Sequence, residues 1–142
     1  MRFMVQVRAT RDSEAGKMPS AELIAAMGKF NEEMMSAGVM LAGEGLHPSS
    51  KGARIVFSGA SPKVIEPPFA EPVELVSGFW IIEVPSREAA IGWAKRAPFG
   101  DGQTLEIRQV FEASDFPADI LPPEEAAKER AWRDAQQART AR

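Results

Sequence analysis

The sequence predicts an α+β fold: a ferredoxin-like sheet with two helices on one face and an extra C-terminal helix. Three observations predict it. Segments with a period of 2 and segments with a period of 3.6 alternate as strand, helix, strands, strand, helix, strand, which is the split β-α-β order. The run Gly78–Val84 is apolar apart from Glu83, as in a central strand covered on both faces. A doubly wound α/β sheet would need more helical segments than the chain supplies.

Phe3, Val5 and Val7 alternate with Met4, Gln6 and Arg8, the pattern of a strand with one buried face. Thr10 to Met18 reads as a polar loop. Pro19-Ser20 opens the first helix, with Ser20 as N-cap and Glu22 set against the helix dipole. Leu23, Met27, Phe30 and Met34 make its apolar stripe, and Gly38 ends it in a left-handed cap with Val39 beyond. Val39 to Gly45 reads as a strand in which Gly43 and Gly45 mark a bulge or a close backbone approach. After the loop His47–Gly52, Ala53 to Ser58 is a third strand, broken by Gly59-Ala60-Ser61-Pro62, and Lys63 to Glu66 is a short return strand. Beyond Gly78–Val84, Ser86 caps the second helix, whose face carries Ala90, Trp93, Ala94 and Ala97 before Pro98 ends it. Thr104 to Phe111 closes the pattern, with Leu105 and Ile107 on one face and Glu106 and Arg108 on the other.

Composition shifts after Phe111. Residues 1–116 read as the domain and 117–142 as a helical extension starting at Pro122-Pro123. Trp132 is the one large apolar residue from Pro122 onward; such a helix either frays or docks through Trp132, and docking, on a partner subunit if not on its own chain, is expected.

At 142 residues and 44% apolar content the chain can bury a single core. A net charge of −3 with interspersed signs argues against nucleic acid, which calls for a basic face. There is no cysteine, hence no disulfide, thiolate nucleophile or Cys-ligated zinc. No run approaches the ~20 apolar residues of a membrane helix, and the N-terminal apolar run is too short for a signal peptide, so a cytoplasmic protein is expected. Two short helices cover one face of the sheet only; the other calls for a second sheet, so a homodimer is expected.

The segments Gly43-Glu44-Gly45-Leu46-His47-Pro48, Lys51-Gly52-Ala53-Arg54, Pro68-Phe69-Ala70-Glu71, Glu74, Gly78-Phe79-Trp80 and Glu106-Ile107-Arg108 together resemble the YCII-related family, and more closely its Asp-Gly-Pro-Phe (DGPF) branch. The resemblance runs from about Arg2 to Phe116. It implies a dimeric α+β barrel in which two ferredoxin-like sheets face each other, and in one class of relatives a His–Asp pair in a cleft. The signature differs here: Glu66-Pro67 stands where the family has Asp-Gly, and Pro72-Val73 where it has Thr-Lys. Pro67 lacks the positive φ open to glycine, and the lost lysine removes a cation.

His47 is the only histidine, and histidine is the side chain that, unperturbed, changes charge near neutrality. It reads as a general acid/base or as a solvated loop residue. Glu66, Glu71 and Glu74 crowd one loop and strand start; such carboxylates can serve proton transfer, or pair with Arg54 or Arg108 across the sheet. His47 and Glu71 are thus the candidate catalytic groups, with Glu44, Arg54, Phe69, Glu74, Trp80 and Arg108 as candidate ligand-binding residues. The acids and His47 lack metal-ligand spacing, and Gly43-Glu44-Gly45 is no phosphate loop, so neither a metal nor a cofactor is expected. The chemistry expected is proton transfer on an unknown small molecule in a pocket near His47, or the same pocket holding a metabolite without turnover.

Overall fold

The computed structural model describes residues 1–69 and 74–140. These form two compact units, Met1–Gln109 and Val110–Arg142. The first contains β1 (Arg2–Arg8), α1 (Arg11–Glu14), α2 (Ala21–Ser36), β2 (Met40–Gly45), β3 (Arg54–Ser58), β4 (Ser61–Ile65), β5 (Val76–Glu83), α3 (Arg87–Lys95) and β6 (Leu105–Gln109). The second contains α4 (Pro123–Thr140).

The main sheet has the order β2-β5-β1-β6, every pair antiparallel. With α2 and α3 as the two crossovers this is the ferredoxin-like topology, and the fold is α+β. β3 and β4 form a separate two-stranded ribbon inserted between β2 and β5.

Alternation along β1 decides which face is inside. Phe3, Val5 and Val7 are buried, while Arg2, Met4, Gln6 and Arg8 between them are half-buried on the other face. Register carries this across the sheet: Val5 faces Trp80 on one side and Ile107 on the other, and Phe3 faces Ile82. The helices cover that face, and the core is Phe3, Val5, Val7, Phe30, Met34, Trp80, Ile82, Val84 and Ala90. Phe30 of α2 meets Trp80 edge to face, ring centroids 5.6 Å apart, the geometry ring quadrupoles favour. Met4, Gln6, Phe79, Ile81, Glu106 and Arg108 share the opposite face. Along β5, Trp80 and Ile82 are buried on the helix side, while Phe79 and Ile81 on the other face are half-buried.

The caps stand where the sequence places them. Ser20 Oγ accepts from Leu23 N at 3.1 Å and Ser86 Oγ from Ala89 N at 3.1 Å. Gly38 has φ +72°, and the amides of Gly38 and Val39 donate to the carbonyls of Met35 and Met34, the paired bonds of a left-handed helix end.

Several boundaries differ from the sequence expectation. The segment expected as a loop from Thr10 contains the one-turn helix α1, closed by a reciprocal cap: Ser13 N donates to Thr10 Oγ1 at 3.1 Å and Thr10 N to Ser13 Oγ at 2.8 Å. The return strand begins at Ser61 rather than Lys63, because Gly59, with φ +65°, lets a two-residue turn close the ribbon at once. The last strand stops at Gln109 rather than Phe111, since Gln109 faces Phe3, near the start of β1.

In the second unit, α4 begins with Pro123 at its first position and carries the ion pairs Lys128–Glu125 and Arg133–Glu129. Its buried residue is Ala126. Trp132, expected as the anchor, is 57% exposed in the single chain. Phe111 stacks with Phe116 at 5.0 Å. No helix among the described residues is long and apolar enough to cross a membrane.

Candidate functional site

A cavity of about 730 Å³ opens where the N-terminal half of α2 leaves the sheet. One wall is Leu23, Met27 and Asn31 of α2; the facing wall is Gly43 of β2 with Gly78 and Trp80 of β5. Phe99 and Gln103 line it from the β6 side, and its mouth is formed by residues of the Thr10–Ser20 segment and of Leu46–Pro48.

Two glycines make room for this wall. Gly43 faces Trp80 across the ladder, and a Cβ on Gly43 would stand 2.8 Å from Trp80 Cδ1 and 2.7 Å from Met40 Cε. The indole thus lies against bare backbone. A Cβ on Gly78 would stand 2.9 Å from the Glu44 carbonyl oxygen, so this glycine sets the approach of β2 to β5. Trp80 Nε1 donates to Asn31 Oδ1 at 2.9 Å, which fixes the indole against α2. Gln103 Nε2 donates to the Arg8 carbonyl at 2.7 Å.

His47 stands at the mouth, exposed, just after the point where Leu46 N donates to Ser77 O at 2.9 Å and the β2–β5 pairing ends. Two residues later the chain is tied again: Ser49 N donates to Glu14 Oε1 at 3.2 Å, and Ser49 Oγ donates to Glu14 Oε2. The short loop carrying His47 is thus held at both ends, by β5 and by α1. Among the described residues no hydrogen bond is made to the imidazole itself. Asp12 and Lys17, also at the cavity, pair with each other at 3.5 Å, both largely exposed.

The match to known families follows this architecture. The YCII-related domain covers residues 1–114 of the chain. The chain belongs to the YCII-related family. No curated protein matches this YCII-related chain. Among solved structures, it is similar to 5-chloro-2-hydroxyhydroquinone dehydrochlorinase (TftG) from Burkholderia phenoliruptrix AC1100, in complex with 2,5-dihydroxybenzoquinone, with a TM-score of 0.42 and 11% identity over 82% of this chain and 100% of that one.

In this YCII-related domain the candidate residues fall in three places. His47, Glu44 and Trp80 border the cavity. Arg54 and Phe69 meet each other instead, the guanidinium 4.3 Å over the ring, and neither is among the cavity-lining residues. Arg108 lies on the sheet face opposite Trp80, 3.6 Å from Glu106, its neighbour on the same strand. Glu74 is exposed and outside the cavity lining. Glu71 lies outside the described residues.

On that second face Arg8 joins Glu106 at 2.8 Å. The hydrogen bond from Arg8, reinforced by the charges of Arg8 and Arg108, holds the Glu106 carboxyl below its ordinary pKa. No group of three or more His, Cys, Asp or Glu that could hold a metal ion occurs among the described residues.

Sequence reasoning missed Asn31, Gln103 and Glu14. Asn31 had a signal: it sits four residues after Met27, on the apolar stripe, where a polar side chain requires a partner. Gln103 and Glu14 had none, because each acts on a residue distant in sequence. Leu23 and Met27, at the start of the apolar stripe, line the cavity, and Met27 packs against the core as well.

Proposed function

We propose that this YCII-related domain is a small-molecule enzyme in which His47 transfers a proton to or from a ligand held in the cavity beneath it. The observation that carries this reading is the position of the only histidine at the mouth of a roomy, largely apolar cavity, on a loop tied at both ends. Such a placement suits a general acid/base, which has to meet the reacting atom within hydrogen-bond reach. Glu71, from the loop that carries the Pro68-Phe69 signature, is assigned as the second working group. That signature, with Ala70-Glu71 after it, also favours the DGPF branch of the family.

A homodimer belongs to this proposal. Phe79, Ile81 and Met4 form an apolar centre on the sheet face turned away from α2 and α3, and a second sheet packed there would complete a dimeric α+β barrel. Light scattering giving the mass of two chains at micromolar concentration is the expected result, and a stable monomer would overturn this part.

The second reading, a metabolite-binding module without turnover, is favoured by one observation: no described residue orients the imidazole, as an acid/base histidine ordinarily requires. One experiment separates the two. The full chain is incubated in D₂O with a mixture of small neutral metabolites and followed by NMR. Deuterium incorporation or consumption of a component, abolished in His47→Gln while binding persists, supports the enzyme. Binding without exchange or turnover in the unaltered protein supports the module.

A further inference from the structure

The cavity lining includes two side-chain amides whose orientations are fixed by hydrogen bonds to protein partners. Trp80 Nε1 donates to Asn31 Oδ1 at 2.9 Å, so the Asn31 carbonyl faces the indole and its Nδ2 keeps two N–H donors with no protein partner among the described residues. Gln103 Nε2 donates to the Arg8 carbonyl at 2.7 Å, which leaves Gln103 Oε1 as an acceptor with no protein partner among the described residues. Neither amide can be turned round. The flip would set the Asn31 NH₂ against an indole N–H and the Gln103 oxygen against a backbone carbonyl, donor against donor and acceptor against acceptor. No buried side-chain N or O lacks a partner among the described residues, so the two free amide groups are open to solvent. Both residues line the cavity.

The charge this lining carries does not favour an anion: besides His47 it holds Asp12, Lys17 and Glu44. Lys17 is the only Lys or Arg among the lining residues, and it is already paired with Asp12 at 3.5 Å. Apart from His47, no unpaired cationic side chain remains among the described lining residues to hold a carboxylate or a phosphate, whose transfer into a largely apolar site is costly without one, and the Glu44 carboxylate opposes an anion.

We propose that Asn31 and Gln103 are specificity-determining residues, and that the cavity selects an uncharged small organic molecule presenting an oxygen acceptor to Asn31 Nδ2 and an O–H or N–H donor to Gln103 Oε1. The inference rests on the reading of the cavity as the ligand site. It adds the chemistry of the ligand to that reading.

The test is an NMR titration of the full chain with three probes: acetophenone, which only accepts; indole, which only donates; and benzoate, which is an anion. Asn31→Asp keeps an acceptor for Trp80 but removes the free donor. Gln103→Lys keeps a donor for the Arg8 carbonyl but removes the free acceptor. Asn31→Asp is expected to weaken acetophenone about fivefold and leave indole unchanged, and Gln103→Lys to do the reverse. In the unaltered protein the Asn31 side-chain NH₂ signals should shift with acetophenone and not with indole, a readout that needs no variant to fold. Benzoate should bind more weakly than acetophenone. Equal loss of both neutral probes in both variants, cavity binding indifferent to either amide, or a preference for benzoate would overturn the inference while leaving a binding cavity. No shift at any lining residue with any probe would overturn the site reading and this inference together.

Discussion

Trp80 and Asn31 join the two layers of the fold, the indole N–H of β5 donating to the amide oxygen of α2 at 2.9 Å. The bond lies between the packed core, where Trp80 meets Phe30, and the open cavity that both residues line. Trp80→Phe keeps a ring for Phe30 but removes the donor. Stability is expected to fall by about 1–2 kcal/mol, measured by urea denaturation, because the Asn31 oxygen can still reach water through the cavity. Trp80→Ala should cost about 3–5 kcal/mol, since the core contact goes as well.

Gly78 and Gly28 give opposite answers to the same substitution. An added methyl at Gly78 meets the Glu44 carbonyl at 2.9 Å, and backbone in a sheet ladder cannot swing aside. Gly78→Ala should destabilise by about 1–3 kcal/mol and open the β2–β5 ladder, seen as faster exchange of the Leu46 amide. Gly28 lies within α2 with nothing within 4 Å, so Gly28→Ala should stabilise by about 0.5–1 kcal/mol through helix propensity alone.

Glu106 supplies a pH dependence. Its folded-state pKa is lowered, first by the hydrogen bond from Arg8 and then by the charges of Arg8 and Arg108. A group with a depressed folded pKa stabilises above its unfolded pKa and loses that contribution as the pH falls through the folded one. The unaltered protein should therefore melt above Glu106→Gln at neutral pH, and the two melting curves should converge as the pH drops below the ordinary carboxylate value of about 4.3. A difference that persists well below that range would contradict the assignment.

Glu14 holds the His47 loop through Ser49. Glu14→Ala should cost no more than about 1.5 kcal/mol, because one neutral donor pair is lost at a half-exposed site. Amide exchange at Ser49 and Lys51 should accelerate while the strand amides keep their protection, a contrast that hydrogen exchange reads directly.

Truncation after Leu121 should leave a folded sheet. α4 exposes Trp132 and buries Ala126, so it contributes little apolar burial of its own. The truncated chain should melt within about 4 °C of the full one. An insoluble product would show that the helix supports the domain.

The parts of the fold legible in the sequence are those governed by period and punctuation. Phe3, Val5 and Val7 announce their face by alternation, and Ser20, Gly38 and Ser86 announce helix ends because capping is local chemistry. The one-turn helix at Arg11 escaped because four residues are too few for a period, although Thr10-Ser13 spells its cap. Of the cavity lining, only His47, Glu44 and Trp80 were singled out as candidates from the loop and strand patterns. Arg54 and Arg108 drew notice for their charge, yet one stacks on Phe69 and the other turns to the opposite face, outcomes set by register rather than residue type. Asn31 and Gln103 become visible only when their hydrogen-bond partners, forty-nine and ninety-five positions away, are brought alongside.

The position of β1 has a consequence for the newborn chain. Both neighbours of the first strand arrive late: Val5 pairs with Trp80, seventy-five positions on, and then with Ile107. At a translation rate of about 5–20 residues per second, Trp80 is made about 4–15 s after Val5. In that interval Phe3, Val5 and Val7 have no ladder to join, while α2 and the β3–β4 ribbon, whose hydrogen bonds are local, are free to form. β1 is made before the other strands of its sheet yet is among the last of them to be placed, and its apolar face waits for the rest of the sheet to be synthesised.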